Sequence, residues 1–264
     1  MSLTPAVPVQ AATVILARPA MGGHGEWECY MVRRHVRSDF ASDVFVFPGG
    51  KVDEADRDPE ARFHCTEPAE EPAQSPGMRA LRLAGIRELY EEAGILLAYG
   101  RDGQVLRFSG REKSLFEMYR RSVQAGEMSI LDVARVEELS LATDRLHAFS
   151  HWITPVSSPK RFDTYFFVAV APEGQEPLHD RREVTAGAWI APAAALDGFR
   201  EGSFPLVFAT EKQLERLDGY PSLDALVEAT VLADLTPVVP RMLEANGETR
   251  FLLPGEPGYE DAAG

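Results

Sequence analysis

Three carboxylates, Glu88, Glu91 and Glu92, stand three and four residues apart in the segment 84–95. At about 100° per residue they share one arc of a helix, and Ile86, Leu89, Tyr90 and Ala93 share the opposite arc. One face can then pack on a sheet while the other gathers anions. Such anions repel by a few tenths of a kcal/mol per exposed pair. A hard divalent cation such as Mg²⁺ or Mn²⁺ turns that repulsion into attraction. Arg87, one turn before Glu91, can hold a carboxylate in place through a charge-assisted bond. Taken alone the pattern says little, because a Glu-rich helix face is ordinarily just solvated and a glycine such as Gly94 ordinarily just ends a helix.

A second element changes the weight of the first. Phe47-Pro48-Gly49-Gly50-Lys51-Val52-Asp53-Glu54-Ala55-Asp56 places a Pro-Gly-Gly bend after a short apolar run. Such a bend frees backbone carbonyls and lets a ligand approach the main chain. Together the two segments resemble the box of the Nudix hydrolases, whose second half reads Arg-Glu-aliphatic-x-Glu-Glu-x-Gly-aliphatic and is matched throughout from Arg87 to Ile95. Two departures are visible. Asp56 stands where Glu is usual, and roughly thirty residues replace the short spacer before Arg87.

An interrupted box of this form is similar to one branch of the family, the coenzyme A diphosphatases of animal peroxisomes and mitochondria with their bacterial relatives. That branch shares Phe-Pro-Gly-Gly-x-x-Asp-x-Ala-Asp, which Phe47 to Asp56 fits. His151-Trp152-Ile153-Thr154-Pro155 and the block from Lys160 to Phe167 agree, and the likeness runs from about residue 12 to Leu253-Pro254-Gly255. The signature found upstream of the box in many coenzyme A-cleaving relatives is not recognisable in 33–46.

The resemblance implies a Nudix-type α/β/α sandwich with a mixed sheet, in the α/β (α+β) class. It implies metal-dependent hydrolysis of a nucleoside diphosphate-linked substrate, foremost coenzyme A or its acyl esters, to 3′,5′-ADP and a 4′-phosphopantetheine. Glu88 and Glu92, with Glu91 alongside, would hold Mg²⁺ or Mn²⁺, a carbonyl of Gly49 or Gly50 would join them, and Arg87 completes the catalytic set. Glu183, six residues before Trp189, is a candidate for a further metal-binding Glu, with a plain surface role as its rival. Arg33, Arg34, Lys160 and Arg161 are candidates for substrate phosphates, since Arg forks suit phosphate oxygens; each is also consistent with an ordinary surface charge. ADP-ribose, a dinucleotide or a nucleotide sugar would use the same chemistry. A non-catalytic ligand-sensing module of this fold commonly lacks box carboxylates, and all of them are present here.

The elements that must position these groups can be read in outline. Ala12 to Ala17 and Trp27 to Arg34 predict strands, and Val44 to Phe47 a short third. Ser75-Pro76 predicts an N-cap and first helical residue, with the helix running to about Ala93. Residues 57–77, rich in Pro and Glu, read as a surface insertion in the box with little to bury and open to motion. Lys113 to Gln124 predicts a helix, while Ala148 to Ile153, Phe162 to Val170 and Ala186 to Ile190 predict strands. From 205 onward a helical C-terminal extension (210–217, 223–230) ends in a strand-like tail at 251–253. One domain over 1–264 is the expected division.

Composition narrows the function classes. A net charge of −14 opposes binding to a nucleic acid polymer, which needs a positive field, but leaves small anionic substrates open. No apolar run approaches the roughly 18 residues of a membrane span. Two cysteines are too few for a disulfide framework. With no secretory pattern at the start and no Ser-Lys-Leu at the end, a cytoplasmic setting is expected. A homodimer would suit the fold, though no residue pattern demands one.

Overall fold

Strand β1 (Val9–Pro19) carries apolar side chains on both faces, and the rest of the fold follows from what covers them. The protein is described by a computed structural model that covers residues 5–21, 26–34, 43–68, 76–178, 184–245 and 248–262. A strand buried on both sides reads as a nearly continuous apolar run and suits a parallel neighbour. That neighbour is β8, defined below.

In chain order, β1 is followed by β2 (Trp27–Arg34), β3 (Val44–Val46), β4 (Gly49–Lys51), α1 (Pro76–Ala93) and β5 (Ala98–Tyr99). Then come α2 (Gly110–Gln124), α3 (Ile130–Glu137), β6 (Ser140–Leu141), β7 (His147–Ile153), β8 (Phe162–Val170) and β9 (Val184–Ile190). The chain continues through α4 (Pro192–Arg200), α5 (Phe208–Asp218), α6 (Leu223–Thr230), β10 (Arg241–Ala245) and β11 (Glu248–Leu252). The main sheet has the order β3-β2-β1-β8-β7, with β4 also paired to β1 and β9 to β2. β1 and β8 run parallel from Val9↔Phe162 to Ala17↔Val170, and the other pairings are antiparallel.

Alternation along β1 divides the core in two. Ala12, Val14 and Leu16 face Leu83, Ile86, Leu89 and Tyr90 of α1, joined by Phe116 of α2 and Val133 of α3. Ile15 and Ala17 face the other way, toward Leu196 of α4, Leu214 of α5 and Leu226 of α6. Helices therefore cover both faces of a mixed sheet, which is the expected α/β/α layering. Fully burying one large apolar side chain stabilises by about 1.5–3 kcal/mol, so the four apolar residues of α1 anchor it firmly.

Several boundaries moved. β1 is longer than expected at both ends because its flanks pair with Phe162 and Trp27. α2 starts at Gly110, three residues early, because Ser109 and Glu112 form a capping box in which the Ser109 amide donates to Glu112 Oε2 at 3.2 Å. Helices α3 and α4 are not among the elements expected from the sequence; α3 does carry a start signal, the Ser129–Asp132 capping box, whereas α4 opens with Pro192 at its first turn but is mostly alanine and small residues. The C-terminal extension holds two helices as expected, and its tail strand β11 pairs with a partner, β10, that the sequence reading missed.

The insertion in the box also differs from expectation. Residues 59–63 form a 3-10 turn with Ala61 buried at 1% exposure. The Thr66 amide donates to the Leu141 carbonyl at 2.9 Å, and Thr143 Oγ1 donates to the Thr66 carbonyl at 2.6 Å. Arg79 pairs with Glu67. This first half is thus built into the body through backbone bonds rather than lying over it. The second half, with the Ser75 cap, lies outside the described residues. Among the described residues no helix is long and apolar enough to cross a membrane.

Candidate active site

The site forms where α1 crosses the bend between β3 and β4. β4 pairs with β1 in the register Gly49↔Thr13 and Gly50↔Ala12, and α1 lies over the same stretch of β1 through Gly85, whose position abuts Val14 and Ala12. The two halves of the box, far apart in sequence, therefore meet across one strand. Gly50 is placed against Glu88 so closely that a Cβ would fall on its carboxylate, 2.8 Å even from the farther oxygen. A Cβ on Gly49 would strike backbone instead, 2.5 Å from the Ala12 carbonyl and 2.7 Å from the Thr13 Cα. Both glycines are required by close approach.

Glu92 is the most enclosed of the three carboxylates, 3% exposed. Its Oε2 accepts from the Gly49 amide at 3.0 Å, and its Oε1 is bonded by Arg34. Arg34 also donates to the Gly49 carbonyl at 3.2 Å, so β2, the bend and α1 are tied at one point. Burial pushes the Glu92 carboxyl up to about 7, against the opposing pull of Arg34. Burial likewise raises Glu88 and Glu91, with Arg87 pulling each down. The face expected to be solvated, had the helix been an ordinary one, is instead mostly enclosed.

Arg87 organises the other side. Its Nη1 donates to Glu88 Oε1 at 2.9 Å and to Glu91 Oε1 at 3.0 Å, while Nη2 reaches the Lys51 carbonyl at 2.7 Å. Its Nε and Nη2 grip Asp56, the latter at 3.0 Å. Burial works against the guanidinium charge, but the Asp56 bonds and the charges of Asp56, Glu88 and Glu91 outweigh it and hold the group ionised. Asp56 is 1% exposed and also accepts from the Asp53 amide at 2.9 Å. The residue that departs from the usual box thus supports the site through hydrogen bonds, as the anchor of its arginine. The departure itself was the available signal.

The other sequence candidates separate. Arg34 joins the cluster, but through Glu92 and the Gly49 carbonyl. Arg33, its neighbour on β2, projects to the opposite face by strand alternation, where it pairs with Asp43 at 2.8 Å and lies 5.8 Å from the Phe45 ring. Arg161 donates to the carbonyls of Thr154 and Ala6, each at 3.0 Å, and so braces the start of β8. The structure does not bring Arg161 or the exposed Lys160 to the carboxylates. Glu183 lies outside the described residues. Trp152 belongs to the core on the α5 side. His151 bonds Asp163 and stacks on Tyr165 with ring centroids 4.1 Å apart.

Among the described residues no three His, Cys, Asp or Glu side chains stand in a ready array for a metal ion. Arg34 and Arg87 between them engage one oxygen of each of the three carboxylates. The donor chemistry still fits a hard divalent cation. Three enclosed carboxylates lie beside a glycine bend with no side chain to obstruct it, and burial, the main cause of their raised proton affinities, makes them groups whose ionised form a bound cation would stabilise.

Comparison with known proteins bears on this geometry. The family described as NUDT19 Nudix domain matches residues 57–217, more than half of the chain and including all of α1. The acyl-coenzyme A diphosphatase NUDT19 of Xenopus laevis is 24% identical over 243 residues, covering 72% of this chain and 64% of its own. The chicken (Gallus gallus) protein of the same name is 28% identical over 305 aligned positions, covering 96% of this chain and 80% of its own. The chain therefore spans less than two thirds of the frog protein. Among solved structures, a NUDIX hydrolase from Alicyclobacillus acidocaldarius superposes with a TM-score of 0.71 at 25% identity, covering 88% of this chain and 99% of that one.

Proposed function

Because this chain belongs to the Nudix hydrolases, in the family of the NUDT19 Nudix domain, we propose that it hydrolyses the diphosphate of coenzyme A or an acyl-coenzyme A. The products are 3′,5′-ADP and 4′-phosphopantetheine or its acyl form. The observation that carries the reading is the meeting of Glu88, Glu91 and Glu92 with Arg87 at the Gly49–Gly50 bend. The substrate is drawn from the named relatives in frog and chicken, both acyl-coenzyme A diphosphatases.

Nudix hydrolases generally need divalent metal ions, and here Glu88, Glu91 and Glu92 with the Gly49 or Gly50 carbonyl would hold Mg²⁺ or Mn²⁺. Such an ion, when bound, neutralises diphosphate charge and acidifies water. The chain's own part is positioning. Arg87 fixes one oxygen each of Glu88 and Glu91, and Asp56 fixes Arg87. The Gly49 amide orients Glu92. A box carboxylate accepts the proton of the attacking water, and enclosure keeps that carboxylate a usable base near neutral pH. Arg34 stands beside Glu92, where its fork can turn to a phosphate oxygen.

A substrate panel with Mg²⁺ and with Mn²⁺ tests this reading. Coenzyme A or its esters should be cleaved at the diphosphate with release of 3′,5′-ADP. Rapid cleavage of ADP-ribose or a nucleotide sugar with coenzyme A untouched would overturn the substrate, and no hydrolysis of any of them would overturn the activity.

A further inference from the structure

Resting on that reading and extending it, we propose that an apolar cavity on the α5 side of the sheet takes the uncharged arm of the substrate, the pantetheine chain with its acyl group. The cavity measures about 520 Å³ and lies between β7, β8, the start of α5 and β11. Trp152, Phe166, Leu206, Phe208 and Phe251 give it an aromatic and aliphatic wall. Trp152 meets Phe208 edge-on with centroids 6.4 Å apart, and Phe208 lies 5.1 Å from Phe251.

Register ties the cavity to the diphosphate site. Phe166 stands opposite Thr13, and Thr13 stands opposite Gly49. At about 4.8 Å per strand, the backbone of Phe166 is roughly 10 Å from the bend. The side chain between them is that of Thr13, half-buried. Successive strand residues point to opposite faces, so the two glycines bare opposite sides of the bend. A Cβ on Gly50 would meet Glu88, whereas one on Gly49 would fall 2.7 Å from Thr13 Oγ1, on the cavity's side. Gly49 also donates its amide to Glu92, so one residue borders both places. The α5 wall is fixed to the strand that leads into the bend: Leu206 bridges Phe45, whose amide donates to the Pro205 carbonyl at 2.8 Å.

Charge selects the occupant. Among the described residues none that lines the cavity is charged. Two cations border it, and each is engaged. Arg161 donates to the carbonyls of Thr154 and Ala6, and Lys212, 5.6 Å from the Phe208 ring, pairs with Glu215 at 2.8 Å. A phosphate placed there would lose its water without gaining a partner, which turns away the 3′,5′-ADP half. The other half is amide, hydroxyl and hydrocarbon. Ser158 and Thr164 offer hydroxyls of the kind amides bond, and the rings cover the hydrocarbon.

Titration calorimetry with 4′-phosphopantetheine, its S-hexanoyl ester and 3′,5′-ADP, at one divalent-ion concentration, tests this assignment. The native chain should bind the ester about tenfold tighter than the unacylated arm, the worth of roughly two buried methylenes. Ala209→Trp fills the cavity from α5, and Phe251→Asp sets a charge in its wall; both positions are half-buried. Each should erase most of the acyl advantage while 3′,5′-ADP binds as it does to the native chain. Equal affinity for ester and free arm in the native chain, an advantage that survives both variants, or a loss that falls on 3′,5′-ADP instead overturns the proposal. Rates with hexanoyl-coenzyme A separate the two readings. An acyl preference abolished by the variants, with no cleavage of coenzyme A esters by the native chain, sinks the substrate assignment alone. Cleavage with KM unchanged in both variants sinks the cavity alone.

Discussion

Arg87 Nη2 donates to Asp56 Oδ2 at 3.0 Å, joining residues 31 apart in sequence through a pair that is almost wholly enclosed. The insertion between them lengthens the loop that the pair closes, and loop-closure entropy grows only slowly with length. The geometry of the box thus survives its interruption because Asp56 holds Arg87, and Arg87 in turn sets Glu88 and Glu91.

Removing that partner should be expensive. Asp56→Ala leaves a buried guanidinium without its main carboxylate, and a loss of about 3 kcal/mol in unfolding free energy is expected. Urea denaturation reads it. Hydrolysis should fall as well, because Glu88 and Glu91 lose their common brace; a variant with native stability and native turnover would show the pair to be incidental.

The two glycines of the bend should fail differently. Gly49→Ala sets a methyl against the backbone of Ala12 and Thr13, so stability should drop by about 1–3 kcal/mol. Gly50→Ala meets the end of a side chain, Glu88, which can move aside. Its stability should change little while turnover falls by roughly 100-fold through a misplaced carboxylate. Thermal melts paired with initial rates distinguish the two, and identical behaviour would contradict the assignment of Gly50 to the site.

Glu92 sets a pH dependence. Its folded carboxyl is raised from the usual 4.5 to about 7, so the native state binds more protons than the unfolded one between those values. The associated stability is complete below about 4.5 and is lost as pH rises through about 7. With divalent ions chelated, Tm should therefore decline across that window, and Glu92→Gln should flatten the decline. Mn²⁺ affinity should strengthen over the same range, because the ion displaces the proton. A chelated protein whose Tm rises from pH 4.5 to 7 only when Glu92 is present would reverse the sign.

Burial raises the thiols of Cys29 and Cys65 to about 12. Both should resist iodoacetamide at pH 8 in the folded chain and react once urea unfolds it, as followed by intact mass. Their contribution to stability is present below the ordinary thiol value of about 8.5 and lost as pH climbs toward 12. Rapid modification of folded Cys65 would show its surroundings to be looser than described.

Much of this site could be read from residue types and spacing, and the reason is physical. Helical periodicity alone places Ile86, Leu89 and Tyr90 opposite Glu88, Glu91 and Glu92, and strand alternation puts Ala12, Val14 and Leu16 beneath that helix. Strands β2 and β8 and helix α6 match their expected limits because turn and cap residues bracket them. What escaped reading depends on distant partners. Arg33 and Arg34 look equivalent in sequence, and only their places on β2 send one to Asp43 and the other to Glu92. Arg120 carries no local sign of burial; its acceptor, the Glu91 carbonyl, is an end-of-helix group that any helix leaves open. The 59–68 stretch looked unable to bury anything because its anchors are backbone bonds to Leu141 and Thr143, which composition does not report.

The account depends most on cation binding by the α1 carboxylates at the glycine bend. Anomalous diffraction from a crystal grown with Mn²⁺ and a slowly cleaved diphosphate substrate measures this directly. A manganese peak bridging Glu88, Glu91 or Glu92 to the substrate, lost in Glu92→Gln crystals, is the expected result. Substrate density at the bend with no manganese peak beside those carboxylates would contradict the account.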